Sequence, residues 1–145
     1  MPCLPDVIHT IGYEKQSIDS FISRLKACGV VPVIDVRANP ISRKPGFSKR
    51  ILGERLAAAK VAYRHSPRLG IPSDLRRTIA DRAELLDLYE RTFLPNATNE
   101  IEMILCAARP ALLCFEANPY VCHRSRIARC LDERYGLSVN HIRFD

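Results

Sequence analysis

Tryptophan is missing from the chain, and phenylalanine and tyrosine supply only five residues each. A dedicated single-strand nucleic-acid binder stacks bases on exposed aromatic rings, so this scarcity argues against that class. No apolar run approaches the roughly 18 residues needed to cross a bilayer. The opening Met1-Pro2-Cys3-Leu4-Pro5-Asp6 has neither the basic stretch nor the apolar core of a secretory leader. The expectation is a cytoplasmic protein with no membrane partner. None of the six cysteines forms a C-x2-C pair, so the commonest structural zinc pattern is missing. In a reducing compartment most of them, including Cys28, Cys106 and Cys130 within helical patterns, read as small buried apolar residues. The phosphatase loop C-x5-R is absent as well: Tyr120 stands where Cys114 would need the arginine, and Ala128 where Cys122 would. No repeat, linker or low-complexity tract interrupts the chain.

What is present suits one α/β domain spanning residues 1–145. Hydrophobic residues make up 47% of the 145 positions, ample for a single core. The net charge is +6, from 22 basic and 16 acidic residues, and most of the basic ones are arginine. Arginine favours bidentate contact with phosphate and carboxylate, which points to an anionic small-molecule or nucleic-acid ligand. A solvated basic surface accounts for the same balance.

Short apolar runs alternate with stretches of helical period, the signature of a parallel sheet covered by helices on both faces. Strands are expected at Val7 to Ile11, Val30 to Val36, Val61 to His65, Ala111 to Phe115 and Val139 to Phe144. The helix after the first strand aligns Ile18, Phe21, Ile22, Leu25 and Cys28 and stops at Gly29. Further helices are expected from Ser48 to about Lys60, from Arg82 to Phe93, from Asn96 or Thr98 to Ala108, and from Cys122 to Tyr135. Asn96-Ala97-Thr98 fits a glycosylation acceptor, but without a secretory signal it reads as the start of a helix. The arginine-rich stretch from Pro67 to Asp81, broken by Gly70 and Pro72, reads as a mobile loop or lid. The fold expected is a three-layer α/β sandwich with a mostly parallel sheet of about five strands.

In such sheets ligands bind beyond the carboxyl ends of the strands. Polar residues gather there: His9, Thr10 and Gly12 from the first strand, Asp35 and Arg37 from the second, His65 from the third, Cys114 and Glu116 from the fourth. Ser42 and Arg43 sit on the proline-stiffened loop after Arg37, which has the composition of an anion clamp. The competing reading makes Asp35 or Glu116 one half of a fold-holding ion pair with arginine.

The densest segment runs from Cys114 to Arg124. If Asn118-Pro119 turns the chain and Cys122 begins a helix, the amides of Cys122, His123, Arg124 and Ser125 face the crevice, where the helix dipole favours an anion. The same position lowers the pKa of Cys122, while Cys114 reads mainly as a packing residue. Cys114, Cys122 and His123, with His9 or His65, would be the zinc donors, but their spacing matches no strong signature and no metal is assigned.

Thr10-Ile11-Gly12, Asp35-Val36-Arg37, Pro40-Ile41-Ser42-Arg43, Tyr63-Arg64-His65, Leu69-Gly70, and Cys114-Phe115-Glu116 with Pro119 and Cys122-His123-Arg124, taken in order, resemble the family called domain of unknown function 488. The resemblance covers nearly the whole chain and implies a small α/β enzyme of bacterial or archaeal type, with no cofactor specified. Two places depart from the family pattern. Tyr13-Glu14 stands where His-Ser commonly follows the first strand, and Ile71 where a second glycine commonly follows Gly70.

Three functions compete. The first is a hydrolase or transferase for a phosphate-bearing or nucleotide-like substrate, with Arg37, Arg43 and Arg124 holding the anion together with Thr10, Gly12, Ser42 and Ser125. Glu116 or Asp35 would be its acid or base, assisted by His65 or His123. The second is a thiol-dependent redox or sulfur-transfer enzyme using Cys122. The third is a nucleic-acid or nucleotide binding module without catalysis.

Overall fold

Val33, Ile34, Leu112 and Leu113 belong to strands closed in from both faces, and each is at most 2% exposed. The structure is a computed structural model that describes residues 4–144. Its strands are β1 (Val7–Gly12), β2 (Pro32–Asp35), β3 (Ala62–His65), β4 (Ala111–Cys114) and β5 (Ser138–His141). They form one sheet in the order β3-β2-β4-β1-β5, with every neighbouring pair parallel. β2 and β4 are buried at every position, whereas the edge strands β3 and β5 alternate exposed and half-buried residues. That difference is why the inner strands read as continuous apolar runs in the sequence.

Among the described residues six α-helices surround the sheet: α1 (Ile18–Ala27), α2 (Lys49–Ala58), α3 (Ser73–Thr78), α4 (Arg82–Leu88), α5 (Thr98–Leu105) and α6 (His123–Tyr135). Phe21 and Leu25 of α1 and Leu52 and Leu56 of α2 pack with Ile11, Val33, Ala111 and Leu113 on one face. Leu85, Ile101, Ile127 and Leu131, from α4, α5 and α6, pack with Ile8, Ile34, Leu112 and Cys114 on the other. The expected three-layer architecture is therefore observed. Because strand side chains alternate between faces, Asp35 goes to the α1/α2 side with Val33 while Cys114 goes to the α6 side with Leu112.

Most elements expected from sequence are present with shorter bounds. Ser17 caps α1, accepting the Ser20 amide at 3.1 Å, and Gly136 closes α6 in the left-handed conformation. The single helix expected from Arg82 to Phe93 is instead α4 followed by a π-helical turn, Tyr89–Phe93. Pro95 follows within a 3-10 turn, Leu94–Asn96, and cannot donate an amide to continue an α-helix. The start of α5 at Thr98 is uncapped by any side chain, since Asn96 donates its amide back to the Thr92 carbonyl.

The segment expected as a mobile loop or lid, Pro67 to Asp81, contains a 3-10 turn (Pro67–Leu69) and the whole of α3. Leu69 and Ile71 anchor it in the core. Cys28 and Cys130 are only half-buried and Cys106 is exposed, so the helical period placed them on the flank of the apolar stripe and not within it. Among the described cysteines, Cys114 and Cys122 alone are buried; Cys3 lies outside the described residues.

Candidate active site

β2 delivers a closed ion pair. Arg37 donates from Nε to Asp35 Oδ1 at 2.8 Å and from Nη2 to Oδ2 at 2.7 Å, and its backbone amide also reaches Oδ1. The Tyr63 hydroxyl donates to Asp35 Oδ2 at 2.6 Å, and the remaining Arg37 nitrogen donates to Tyr13 Oη and to the Phe47 carbonyl. Tyr13 stacks on Phe47 with centroids 4.4 Å apart and lies beneath the guanidinium. Burial works against the Arg37 charge, but the hydrogen bonds and charge of Asp35 outweigh it and raise its pKa above the ordinary value. Burial, then the Asp35 hydrogen bond, push the Tyr63 phenol up. Here the fold-holding reading describes the geometry: Asp35 and Arg37 satisfy each other.

β4 and the start of α6 deliver a second cluster on the opposite face. The chain leaves Cys114, passes Glu116, turns at Asn118, whose side chain accepts the Tyr120 amide, and enters α6 with Cys122 as its N-cap. This return brings Cys114 Sγ to 3.8 Å and Cys122 Sγ to 3.9 Å from His123 Nδ1. The other ring nitrogen, Nε2, lies 2.8 Å from the Val36 carbonyl and therefore donates to it. All three residues are buried, and their donor atoms lie within 4.8 Å of one another. The Cys114 thiol also reaches Glu116 Oε2 at 3.6 Å. Burial opposes a Cys122 thiolate, but the hydrogen bond from Cys114 and the nearness of His123 and Arg124 outweigh it and hold Cys122 well below the ordinary thiol range. The hydrogen bond with Cys122, reinforced by burial, pushes Cys114 well up. Cys114 is thus part of the polar cluster as well as of the core.

The remaining expected site residues fall in different places. Arg124 is fully buried, and its guanidinium donates to Thr10 Oγ1 at 3.1 Å, to the Glu116 carbonyl at 2.6 Å and to the Ala117 carbonyl at 3.4 Å. It braces the β4–α6 turn from inside. Thr10 is fully buried between that guanidinium and His141 Nδ1. Gly12 gives β1 its close approach to the same turn, for a Cβ there would overlap the Glu116 carbonyl. His65 donates from Nε2 to the Arg37 carbonyl. Ser42 and Ser48 exchange hydrogen bonds that tie the proline loop to the start of α2, and Arg43 is exposed on that loop. Of the four amides foreseen at the start of α6, those of Cys122 and Ser125 are taken by the Pro119 and Cys122 carbonyls. The Ser125 hydroxyl also donates to the Cys122 carbonyl.

Between the two clusters, at the carboxyl ends of β2 and β4, lies a cavity of about 180 Å³ lined by Arg37, Asn39, Ile71, Arg76, Cys114 and Glu116, among others. A second, of about 120 Å³, lies against Arg76, Arg82, Leu86, Glu116 and His123. Glu116, Ile71 and Arg76 border both. Arg82 donates to Glu116 Oε1 at 3.0 Å and to the Val121 carbonyl at 2.6 Å. Arg76 and Arg82 were not singled out from sequence, although the arginine density from Pro67 onward is the signal that carries them. Both departures from the family pattern border the site. Tyr13 supports Arg37, the neighbouring Glu14 carboxylate accepts the Ala117 amide, and Ile71 lines both cavities.

The fold and site define an open parallel α/β domain with its polar groups and a cleft at the carboxyl edge of the sheet. The chain belongs to the family whose model is described as Domain of unknown function DUF488, which matches residues 17–131. No curated protein and no solved structure matches it significantly.

Proposed function

We propose that the protein is an enzyme, a hydrolase or transferase, that holds an anionic phosphate-bearing or nucleotide-like small molecule in the paired cavities and uses Glu116 as the proton-transferring carboxylate. The observation behind this reading is the position of Glu116, shared by both cavities with Arg76 beside it and Arg82 bonded to it. Arg76 and Arg82 take over the anion-holding role first given to Arg37 and Arg124, whose guanidinium groups are engaged by Asp35 and by backbone carbonyls. In the hydrolytic form, water gives a proton to Glu116 as its oxygen bonds to the electrophilic centre, and the leaving group departs with the electron pair of the broken bond. Glu116→Gln should lower turnover by about 100-fold or more, and Arg76→Ala with Arg82→Ala should raise KM. A phosphoester and nucleotide panel read by phosphate or product release checks this; unchanged turnover and binding in all three variants would sink it.

A second reading is favoured by the Cys114–Cys122 pair, in which Cys122 is held below the ordinary thiol range. Here the Cys122 thiolate attacks a disulfide substrate, releasing one thiolate, and Cys114 then displaces the other half to leave a Cys114–Cys122 disulfide. Alkylation rates measured against pH discriminate. A Cys122 that reacts only as fast as an ordinary free cysteine near neutral pH would remove this reading.

A further inference from the structure

Two sulfurs and an imidazole nitrogen converge beside the cavities, all three on buried residues. The thiol contacts to His123 Nδ1 are 3.8 and 3.9 Å. Nε2 is held by the Val36 carbonyl at 2.8 Å, so the ring turns Nδ1 toward both sulfurs. A ring nitrogen fixed by a backbone carbonyl, with the opposite nitrogen presented to other donors, is the orientation that metal-binding histidines take. The spacing fits as well. For tetrahedral zinc, bonds of about 2.3 Å to sulfur and about 2.1 Å to nitrogen place each sulfur about 3.6 Å from the nitrogen, within a few tenths of an ångström of the two distances seen.

We infer that Cys114, Cys122 and His123 form a binding site for a thiophilic divalent cation of the zinc class, with its fourth coordination position open toward the cavities bordered by Glu116. Cys114 lines one cavity and His123 the other, so the open position would face both. Two thiolates and one imidazole with one free position is a donor set of catalytic zinc, and structural sites close all four. Glu116, with Oε2 at 3.6 Å from Cys114 Sγ and Oε1 on Arg82, would sit beside the cation and receive the proton of a water bound there. The short return from β4 to α6 explains why the sequence conceals the site. Cys122 and His123 are adjacent, and Cys114 joins them only because the turn at Asn118 folds back on the strand.

This deepens the hydrolase reading, because it supplies an acid for the same carboxylate and the same cavities, but metal binding can be tested without turnover. Full-length protein is stripped with chelator under reductant and titrated with Co²⁺. One equivalent should bind, with thiolate-to-cobalt charge-transfer absorption and the visible bands of tetrahedral cobalt, and Zn²⁺ should bleach both. Cys114→Ser, Cys122→Ser and His123→Gln should each weaken binding by more than about 100-fold. Circular dichroism separates site loss from unfolding, and if the variants do not fold, the charge-transfer intensity of the wild type still counts its thiolate ligands. Glu116→Gln should keep the cobalt spectrum, and its loss would overturn the open position. A wild-type titration with no charge-transfer band, or a band that survives in Cys114→Ser/Cys122→Ser, would overturn the site. Phosphoester turnover by metal-free protein would overturn the cation's part in the reaction while leaving the hydrolase reading intact. Tight cobalt binding with no turnover across the panel would support the site and sink that reading.

Discussion

Asp35 is the residue on which Arg37 and Tyr63 both lean. Its carboxylate accepts from the Arg37 side chain and the Arg37 amide, both away from water, and from the hydroxyl of half-buried Tyr63. Replacing one member of a buried pair strands the charge of the other, so Asp35→Asn should cost about 3–5 kcal/mol. Urea denaturation measures this, and Asp35→Asn/Arg37→Met should recover part of the loss. The sequence made Asp35, Arg37, Glu116, Cys122 and His123 visible, since each breaks an apolar run at a strand or helix end. It hid what they touch. The partners of Arg124, His65 and His123 include backbone carbonyls, and every residue carries one. Arg124 in particular looked like a cation for a ligand, but a long side chain starting inside α6 reaches carbonyls of the preceding turn before it reaches the cleft.

Among the α-helices, α3 is the least tied down: none of its residues is buried, and Leu75 only partly packs against the core. Its amides should therefore exchange with deuterium far faster than those of β4, by orders of magnitude at neutral pH. Mass spectrometry of peptides covering Ser73–Thr78 and Ala111–Cys114 compares them directly. Equal protection would show that α3 is not a separately opening cover over the cavities. The sequence suggested mobility for this stretch from its arginine, proline and glycine content, but not the helix, because six residues hold too few periods to register. The π-helical turn after α4 escaped for a related reason: Leu85, Leu88, Tyr89 and Phe93 satisfy an α-helical period even though the backbone changes its winding.

At the scale of the whole molecule, the β1–β5 edge sets part of the pH response. His9 Nδ1 accepts from the Asn140 side-chain amide, and His141 meets Thr10. Burial, then Arg109, lowers the pKa of His9; burial, then Arg124 and Arg143, lowers that of His141. Both folded values lie below the ordinary value of 6.5. Above that value neither folded nor unfolded histidine carries a proton, and stability is at its full level. As pH falls below it, the unfolded chain takes up protons first, so stability drops until the folded values are passed. Denaturation midpoints at pH 7.5 and 5.5 should differ, and His141→Asn should shrink the difference. A midpoint difference untouched by that substitution would assign the response elsewhere. The layer order was legible from the alternation of strand and helix patterns. Which strands are neighbours was not, because pairing is decided by helices crossing above and below the sheet.

That strand order carries a consequence for biosynthesis. β4 stands between β1 and β2, yet it is the fourth strand to be made, so the two strands that flank it emerge from the ribosome with no partner between them. Non-local pairing of this kind is slow and leaves apolar edges open while it waits. A nascent chain should stay protease-sensitive until Cys114 has cleared the exit tunnel, and arrested nascent chains ending before and after that point can be compared by limited proteolysis. Protection that appears before β4 emerges would show that β1 and β2 find another partner first. The same late strand carries Cys114 and leads to Glu116, so the growing chain gains its central support and two of the residues that border its cavities in a single event.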